Sequence, residues 1–345
     1  MANQKKEKPR EWWWFSPITG LDITDKSADL PNPLFENATI ISASSLRHHF
    51  KSGNFTQPEL ILHHLNGRLK NGKQDAWIGV KRLLLPEKAE EETALAIARF
   101  RIITAALSIL CLQESRFHYS CCPTDEVSHR ISDFIASDAQ SENYVYEWNI
   151  PHIITFARAR WKLDRAELQR MITSSSLRSS ISIATGFQGI EVDKSVSLPV
   201  TIALRRLASS LCSDQSGEMI LASWSVFEIL LSSGDAPFKK VCSRAMALTK
   251  SIGTDQIEEL YDLRNKWVHR GQEPIEKAVR SYLRCSLELL AAFSDLALEA
   301  PNDTNKQTLL EWLDLNAFVN SGQPPGRLAI LHSHFSAKDP LAIKL

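Results

Sequence analysis

The hydrophobic pattern of this chain changes along its length. Residues 1 to 75 alternate short apolar pieces with turn residues, which predicts short strands or loops. From Pro86 the segment PEKAEEETALAIARFRIITAALSILCL has a proline and acidic residues in its first turn and strong helix formers after it, which predicts a long helix. Between His118 and Pro151 the chain is polar and weakly patterned, which is typical of a linker or of a strand bounded by loops. We therefore predict a domain boundary near Pro151.

Helical periodicity dominates the chain beyond that point. ITFARARWKLDRAELQRMI predicts a helix, and residues 173 to 197 are a Ser-rich, Gly-containing break. Apolar residues then recur at helical spacing in PVTIALRRLASSLC, SGEMILASWSVFEILLSS, PFKKVCSRAMALTKSI, TDQIEELYDLRNKWVHRG and EPIEKAVRSYLRCSLELLAAFSDLAL, and a last short helix is predicted at TLLEWLDLNAFV. The predicted fold is mainly α: a mixed, α+β amino-terminal domain (1–150), a helical bundle (151–300) and a tail with one short helix (301–345).

The composition of the chain limits the classes of partner and the cellular compartments that we expect for it. Lys plus Arg and Asp plus Glu each total 40 in the 345 residues, so a nucleic-acid partner must meet a local patch rather than an overall positive field. The amino terminus has no apolar segment typical of a secretory signal, and no apolar run approaches the length of a membrane span, which predicts a cytoplasmic protein without membrane contact. The six scattered cysteines predict reduced, mostly buried thiols.

The segment TDQIEELYDLRNKWVHRG is the most informative of the predicted helices. Thr254 or Asp255 is the predicted amino-terminal cap. Apolar residues repeat at three and four positions and predict a buried stripe formed by Leu260, Leu263 and Trp267. Asp262 and Lys266 stand four positions apart, as in an ordinary surface ion pair.

Three polar residues near the end of this helix are candidates for chemistry. Asn265 and His269 are four positions apart and therefore share a face, and Arg264 reaches the same end. Gly271 supplies a left-handed stop and Pro274 prevents continuation. A guanidinium binds phosphate through paired hydrogen bonds and an imidazole transfers protons near neutral pH, which are the two functions that metal-independent RNA cleavage needs. The alternative hypothesis is that Arg264 and His269 cap helix carbonyls.

The motif RNxxxH in this context resembles the R-x4-H motif of the HEPN superfamily (higher eukaryotes and prokaryotes nucleotide-binding domain). WSVFEILLSS, KKVCSRAMALT and ELYDLRNKWVHRG are similar in order and spacing to the Apea-like HEPN branch. The resemblance covers residues 198 to 295. Arg270 stands between the histidine and the glycine, where many relatives have the glycine directly, and it adds positive charge beside the motif.

The resemblance implies a helical bundle that dimerises so that two motifs face each other in one composite site. It also implies metal-independent endoribonuclease activity, without a cofactor or metal, in a toxin or an antiviral abortive-infection effector. Arg264 and His269 are then catalytic, Asn265 orients them, and Arg270 supports the site. The expected partners are RNA, including tRNA, as substrate, a second copy of the chain, and a regulatory protein or antitoxin that acts with a sensing amino-terminal domain.

Glu228 is a further candidate. It lies inside WSVFEILL between apolar residues, which predicts a buried carboxylate with a cationic or hydrogen-bonding partner. Arg264 and Arg244 are the candidate partners. A structural ion pair and a supporting role in the site are both open.

Other features are weaker. Trp161 lies within a predicted basic helix, which is either a solvated face or a surface for RNA through Arg158, Arg160, Lys162, Arg165 and Arg170. HYSCCPTDEVSH contains zinc-ligand types at unsuitable spacing, so no metal site is predicted. The aromatic residues 12 to 15 predict either a packed strand or an exposed patch. The alternative function is a catalytically silent HEPN module that binds RNA or nucleotide, or a dimeric adaptor.

Overall fold

The structure is a computed structural model, and the chain divides into two compact units, Met1–Ser175 and Ser176–Leu345. The predicted domain boundary at residue 150 falls inside a strand of the first unit, Val145–Ile153. The structure describes residues 10–18, 21–23, 28–29, 38–42, 76–84, 95, 98–103, 105–107, 109–110, 130–138, 145–153, 161–163, 165–186, 189–210, 215–234, 237–249, 251–274 and 276–320.

Strands form most of the described part of the first unit. They are β1 (Arg10–Ile18), β2 (Leu21–Ile23), β3 (Ala28–Asp29), β4 (Ala38–Ser42), β5 (Ala76–Leu84), β6 (Arg130–Asp138), β7 (Val145–Ile153) and β8 (Trp161–Leu163). Six of them form an antiparallel sheet in the order β3-β4-β5-β1-β6-β7, and β2 pairs in parallel with β8. The aromatic residues 12 to 15 lie in β1, an inner strand, which agrees with their high β-propensity.

The predicted long helix is helical at every described position between 95 and 110. Phe100, Ile103 and Leu107 recur at helical spacing and are buried. The helix predicted from residue 153 onward is only partly correct. Trp161–Leu163 is the strand β8, and the helix α1 begins at Arg165 and ends at Ser174. The alternation of apolar Trp161 and Leu163 around Lys162 fits a strand, and the pairing partner β2 lies more than a hundred residues away in sequence.

Most described residues of the second unit are helical and none is in a strand, and the described chain as a whole is mainly α as predicted. The helices are α2 (Arg178–Thr185), α3 (Lys194–Ser210), α4 (Ser216–Leu231), α5 (Phe238–Leu248), α6 (Thr254–Arg270), α7 (Glu276–Glu299) and α8 (Lys306–Asn320). The central helix is α4, which packs against α3, α5, α6 and α7. Ten of its sixteen residues are buried, which explains why its sequence is apolar on most sides.

Helix α2 lies in the segment that the sequence predicted as a break. Its sequence RSSISIAT is rich in serine and β-branched residues, which have low helix propensity. Packing overrides this preference: Ile181 is fully buried, and the Ser180 hydroxyl lies 2.8 Å from that of Ser294 on α7. Ser179 also donates a hydrogen bond to Asp295. Tertiary contacts therefore stabilise a helix that local propensity does not predict.

The carboxy-terminal helix α8 is held to the bundle by buried charge. Arg244 of α5 is fully buried, and Asp314 of α8 accepts hydrogen bonds from its Nε at 2.7 Å and its Nη2 at 2.8 Å. The third donor, Nη1, binds the carbonyl of Leu231 at the end of α4. Lys306 Nζ donates to the carbonyls of Ile229 and Ser232 at 2.7 and 2.8 Å, and burial lowers the pKa of this lysine. The predicted tail helix is thus part of the second unit.

Two cysteines with described side chains agree with the predicted thiol state. Cys242 of α5 and Cys285 of α7 are buried and form no disulfide. Burial raises the pKa of the Cys242 thiol to about 11, and the negative charge of Glu258 acts in the same direction. Burial also raises the pKa of the Cys285 thiol, so both thiols are protonated and poorly reactive at neutral pH. The remaining four cysteines lie outside the described residues.

Removing the carboxylate of Asp314 should destabilise the second unit strongly, because it leaves Arg244 buried without its counter-charge. We expect Asp314→Ala to lower the free energy of unfolding by about 2 to 4 kcal/mol. The matched control is Asp262→Ala, which removes the exposed carboxylate of a 2.9 Å surface pair with Lys266 and should cost about 0.5 kcal/mol or less. Urea denaturation followed by circular dichroism measures both, and equal effects of the two variants would contradict the assignment.

Candidate active site

Helix α6 carries the RNxxxH motif and ends as the sequence predicts. Gly271 adopts the left-handed conformation with φ of 63° and ψ of 21°. Its backbone N–H donates to the Trp267 carbonyl at 2.9 Å, and the N–H of Gln272 donates to the Lys266 carbonyl at 3.3 Å. Backbone groups therefore satisfy carbonyls of the last turn, and neither Arg264 nor His269 is the cap.

The start of α6 differs from the prediction. The residue that precedes the helix is Gly253, not Thr254 or Asp255, and its N–H donates to the side-chain oxygen of Gln256 at 3.0 Å. The Thr254 hydroxyl instead lies 2.8 Å from the sulfur of Met246. The Gln256 amide performs the reciprocal half of a capping box, which a search for Ser, Thr or Asp at the cap does not find.

An aromatic cluster anchors the first half of α6. The ring of Tyr261 lies 4.9 Å from that of buried Trp224 on α4 and 4.4 Å from that of Phe238 on α5, measured between centroids. Ile257 and Leu260 of α6 are fully or almost fully buried. The first half of the helix is thus fixed to both α4 and α5 by apolar and aromatic contact.

The second half of α6 is less covered than the predicted stripe implies. Leu263 and Trp267 are only half-buried, so the prediction that they continue the buried stripe of Leu260 is wrong in degree. Val268 follows Arg264 by one turn on the same side and is 47% exposed. An apolar side chain therefore stands uncovered by the described residues next to the motif.

Trp267 fixes the position of this less covered end. Its indole ring lies against Gly217 in the first turn of α4, at a place where any Cβ on residue 217 would overlap the ring. Ser216 supports the same junction, because its N–H donates to a carboxylate oxygen of Glu273 at 3.1 Å. The end of α6 and the beginning of α4 are therefore adjacent, and the motif stands at their junction.

Arg264 and Asn265 form a unit. Arg264 Nη1 donates a hydrogen bond to Asn265 Oδ1 at 2.8 Å, although the two residues are sequence neighbours. Arg264 lies four positions after buried Leu260 and is itself half-buried, and its Nε is shielded from solvent with no hydrogen-bond partner among the described residues. The guanidinium is thus held by the amide through Nη1, while the buried Nε donor is left for a further acceptor.

His269 stands one turn beyond Asn265 and is exposed, as is Arg270. No hydrogen bond joins the imidazole to Arg264 or Asn265 within the described part of the chain. The structure therefore brings Arg264 and Asn265 into contact and leaves His269 beside them with a free approach from solvent.

The predicted burial of Glu228 is wrong. Glu228 is exposed, because it belongs to the outward stripe of α4 together with Glu218 and Ser225. The polar residues at these helical spacings were the signal that sequence analysis missed. The predicted pairing with Arg244 is also wrong, because Asp314 of α8 binds that arginine. Glu228 is therefore not a buried support of the motif.

The basic residues proposed as RNA contacts lie in the first unit. Lys162 is in β8 and Arg165 begins α1, so these two do not share one helical face, while Arg158 and Arg160 lie outside the described residues. HYSCCPTDEVSH also lies outside them. Where side chains are described, no group of three or more His, Cys, Asp and Glu residues is placed to hold a metal ion. None of the described helices combines the length and apolarity that membrane crossing requires.

Comparison with known proteins gives no assignment: the chain matches no protein-family model, no curated protein and no solved structure.

A side chain at position 217 should disturb the junction that carries the motif. We expect Gly217→Ala to reduce the free energy of unfolding by about 1 to 3 kcal/mol, because the added methyl group must displace the Trp267 ring. In a Trp267→Ala background the same substitution should cost much less, since the opposing ring is gone. Thermal and urea denaturation of the four proteins in this double-mutant cycle measure the coupling, and additive effects would refute the contact.

Proposed function

We propose that the second unit is a HEPN-type bundle that acts as a metal-independent endoribonuclease, with Arg264 and His269 as catalytic residues and Asn265 as the residue that orients them. One observation carries the proposal. Arg264 and Asn265 are joined by a 2.8 Å hydrogen bond at a helix end where an exposed imidazole follows one turn later. This arrangement supports the proposal, because a cation suited to phosphate and a group suited to proton transfer stand in the last two turns of one helix.

The rival hypothesis, a purely structural cap, explains this arrangement less well. The carbonyls of Lys266 and Trp267 already accept hydrogen bonds from the backbone of Gly271 and Gln272. A capping role therefore does not require the arginine or the histidine. A half-buried guanidinium with an unused donor is better explained as a group that awaits a ligand oxygen.

The reaction is an in-line transesterification of the RNA backbone. The ribose 2′-oxygen forms a bond to phosphorus while the bond from phosphorus to the 5′-oxygen breaks, which yields a 2′,3′-cyclic phosphate and a 5′-hydroxyl. A base must take the proton of the 2′-hydroxyl, an acid must give one to the 5′-oxygen, and a cation must stabilise the charge on the phosphate. Arg264 stabilises the negative charge on the phosphate, and the imidazole of His269 transfers a proton.

A single imidazole performs one of the two proton transfers at a time, so two copies of the motif give a more complete site. The resemblance to HEPN proteins implies such a composite site between two chains. The uncovered side chain of Val268 and the half-buried Trp267 beside it support contact with a second copy at this end of α6. We therefore propose a homodimer in which each chain contributes Arg264, Asn265 and His269, with Arg270 adding positive charge at the rim.

The biological setting follows from the resemblance alone. We propose a cytoplasmic toxin or antiviral abortive-infection effector that cuts RNA, including tRNA. The first unit is a mixed domain that senses a trigger or restrains the nuclease, and Arg158, Arg160, Lys162 and Arg165 are candidate RNA contacts in it. A regulatory protein or antitoxin completes the system.

The alternative is a catalytically silent HEPN module that binds RNA or nucleotide, or a dimeric adaptor. It is favoured by the lack of a hydrogen bond between His269 and Arg264 or Asn265 in the described chain. A silent module would bind RNA through Arg264 and leave the strand intact.

The test is incubation of the purified full chain with total RNA and tRNA in EDTA. We expect cleavage with 2′,3′-cyclic phosphate ends, and a loss of at least about 100-fold in rate for both Arg264→Ala and His269→Ala. Arg284→Ala, which removes one exposed cation from α7, is the matched control and should cleave normally. Sedimentation verifies that each variant keeps the oligomeric state of the parent. Unchanged cleavage by His269→Ala would overturn the catalytic assignment, and tight RNA binding without cleavage would favour the silent module.

A further inference from the structure

A groove between α3 and α4 opens beside the junction that carries the motif. It has a volume of about 520 Å³ and is lined on the α3 side by Ile202, Arg205, Arg206, Ser209 and Ser210, and on the α4 side by Glu218, Leu221 and Ala222. Arg206 and Ser209 are exposed, and Arg205 is half-buried. Two cations and the hydroxyl group of Ser209 therefore stand along one side of an open groove, whereas Ser210 is buried and donates to the Leu207 carbonyl at 2.7 Å.

The groove and the motif share the first turn of α4. Glu218 lines the groove, and the indole ring of Trp267 packs against its neighbour Gly217. Trp267 precedes His269 by two residues on α6. Consecutive Cα atoms are about 3.8 Å apart, so the residue of α4 that lines the groove is the direct neighbour of the residue that contacts the motif helix. Ser209 and Ser210 lie at the end of α3 that leads into α4, which is the same end of the groove.

The lining has the chemistry of a single-stranded RNA site. Arginine binds phosphate oxygens through several N–H donors, and serine hydroxyls are common additional phosphate contacts. Ile202 is 41% exposed and, with Leu221 and Ala222, offers an apolar wall on which the face of an unpaired base can lie. The groove thus combines cationic and apolar surface, as a nucleotide chain combines phosphate and base.

We propose that this groove binds the single-stranded RNA that flanks the scissile bond, with Arg206 contacting a backbone phosphate. This rests on the proposed ribonuclease function and adds to it a second, non-catalytic contact that holds the substrate in place. Arg205 and Ser209 form the rest of the phosphate contact, and the apolar wall receives a base.

Glu218 sets a limit on the strength of this site. Its carboxylate faces the same groove and repels phosphate, so the bound backbone follows the α3 side, where the arginines stand. In a pocket for a free mononucleotide, the same carboxylate would instead accept hydrogen bonds from ribose hydroxyls. The effect of neutralising Glu218 therefore distinguishes a passing RNA strand from a bound nucleotide.

The experiment measures binding of a fluorescent single-stranded RNA to the full-length His269→Ala protein, in which cleavage is blocked. We expect Arg206→Ala in this background to weaken binding about tenfold and to reduce the slope of log affinity against log salt by about 0.7, the value for one lost phosphate contact on a single strand. Glu218→Gln should tighten binding two- to threefold, because a repulsive charge is removed.

The control is Arg284→Ala in the same background, which should change affinity less than twofold. Arg284 pairs with Glu288, which also accepts a hydrogen bond from Ser251 before the start of α6, so this cation stands at the opposite end of α6 from the motif. Circular dichroism and melting curves verify folding, and Arg206 is exposed, so its replacement leaves the core intact.

Three results would overturn the proposal. They are RNA binding that does not change in Arg206→Ala, equal weakening by Arg284→Ala, and tight binding of AMP that both Arg206→Ala and Glu218→Gln abolish. The last result would make the groove a mononucleotide pocket. Because binding is measured in a protein that cannot cleave, cleavage by the parent chain with no effect of Arg206→Ala would reject the groove alone. Binding that responds to Arg206 in a chain whose parent never cleaves would reject the ribonuclease alone.

Discussion

The packing of Trp267 against Gly217 determines where the candidate site stands. A large aromatic ring on α6 lies against the backbone of α4, and this is permitted only because residue 217 has no side chain. The contact fixes the less covered end of α6 to the first turn of α4. Arg264, Asn265 and His269 then project from a helix end that is rigidly placed yet open to solvent. Rigid placement and access are both needed for a group that stabilises charge on a bound phosphate.

The carboxy-terminal end of α4 is held by polar contacts instead of an aromatic one. There, Arg244 and Lys306 donate hydrogen bonds to carbonyl groups at the end of the helix, and Asp314 accepts hydrogen bonds from Arg244. Such a network is costly to bury and is stable only when each member has its partner. The central helix is therefore fixed at one end by polar contacts and at the other by an aromatic contact. The aromatic end is the one that lies against the motif helix.

The groove between α3 and α4 also involves the first turn of α4. The second half of α3 and the first two turns of α4 line it, and the outward stripe of α4 supplies Glu218 and Leu221 to the groove wall. An exposed arginine on α3 faces the same space. Glu218 of the groove and Gly217, against which Trp267 packs, are thus neighbours in the first turn of α4. In the proposed ribonuclease, a substrate that contacts both the groove and the motif on α6 gains affinity from the groove and chemistry from the motif.

Most helices of the second unit could be predicted from the sequence, because an amphipathic helix records its buried face in its own periodicity. The end of α6 was equally clear, since Gly271 is needed for a positive φ. The motif helix, its polar cluster and the Asp262–Lys266 pair all follow from spacing along one chain segment. These are local properties, and local sequence is sufficient to determine them.

Features that depend on distant partners were not accessible in this way. The serine-rich α2 is helical because of contacts with α7, and β8 is a strand because it pairs with β2, far away in sequence. Glu228 is outward because the neighbours of α4 leave that stripe uncovered, and Arg244 binds Asp314 across 70 residues of sequence. The sequence by itself determined the helices and the chemical groups of the motif. Only the tertiary structure decided their exposure, their partners and the groove beside them, because burial and pairing are properties of two surfaces in contact and are absent from either segment alone.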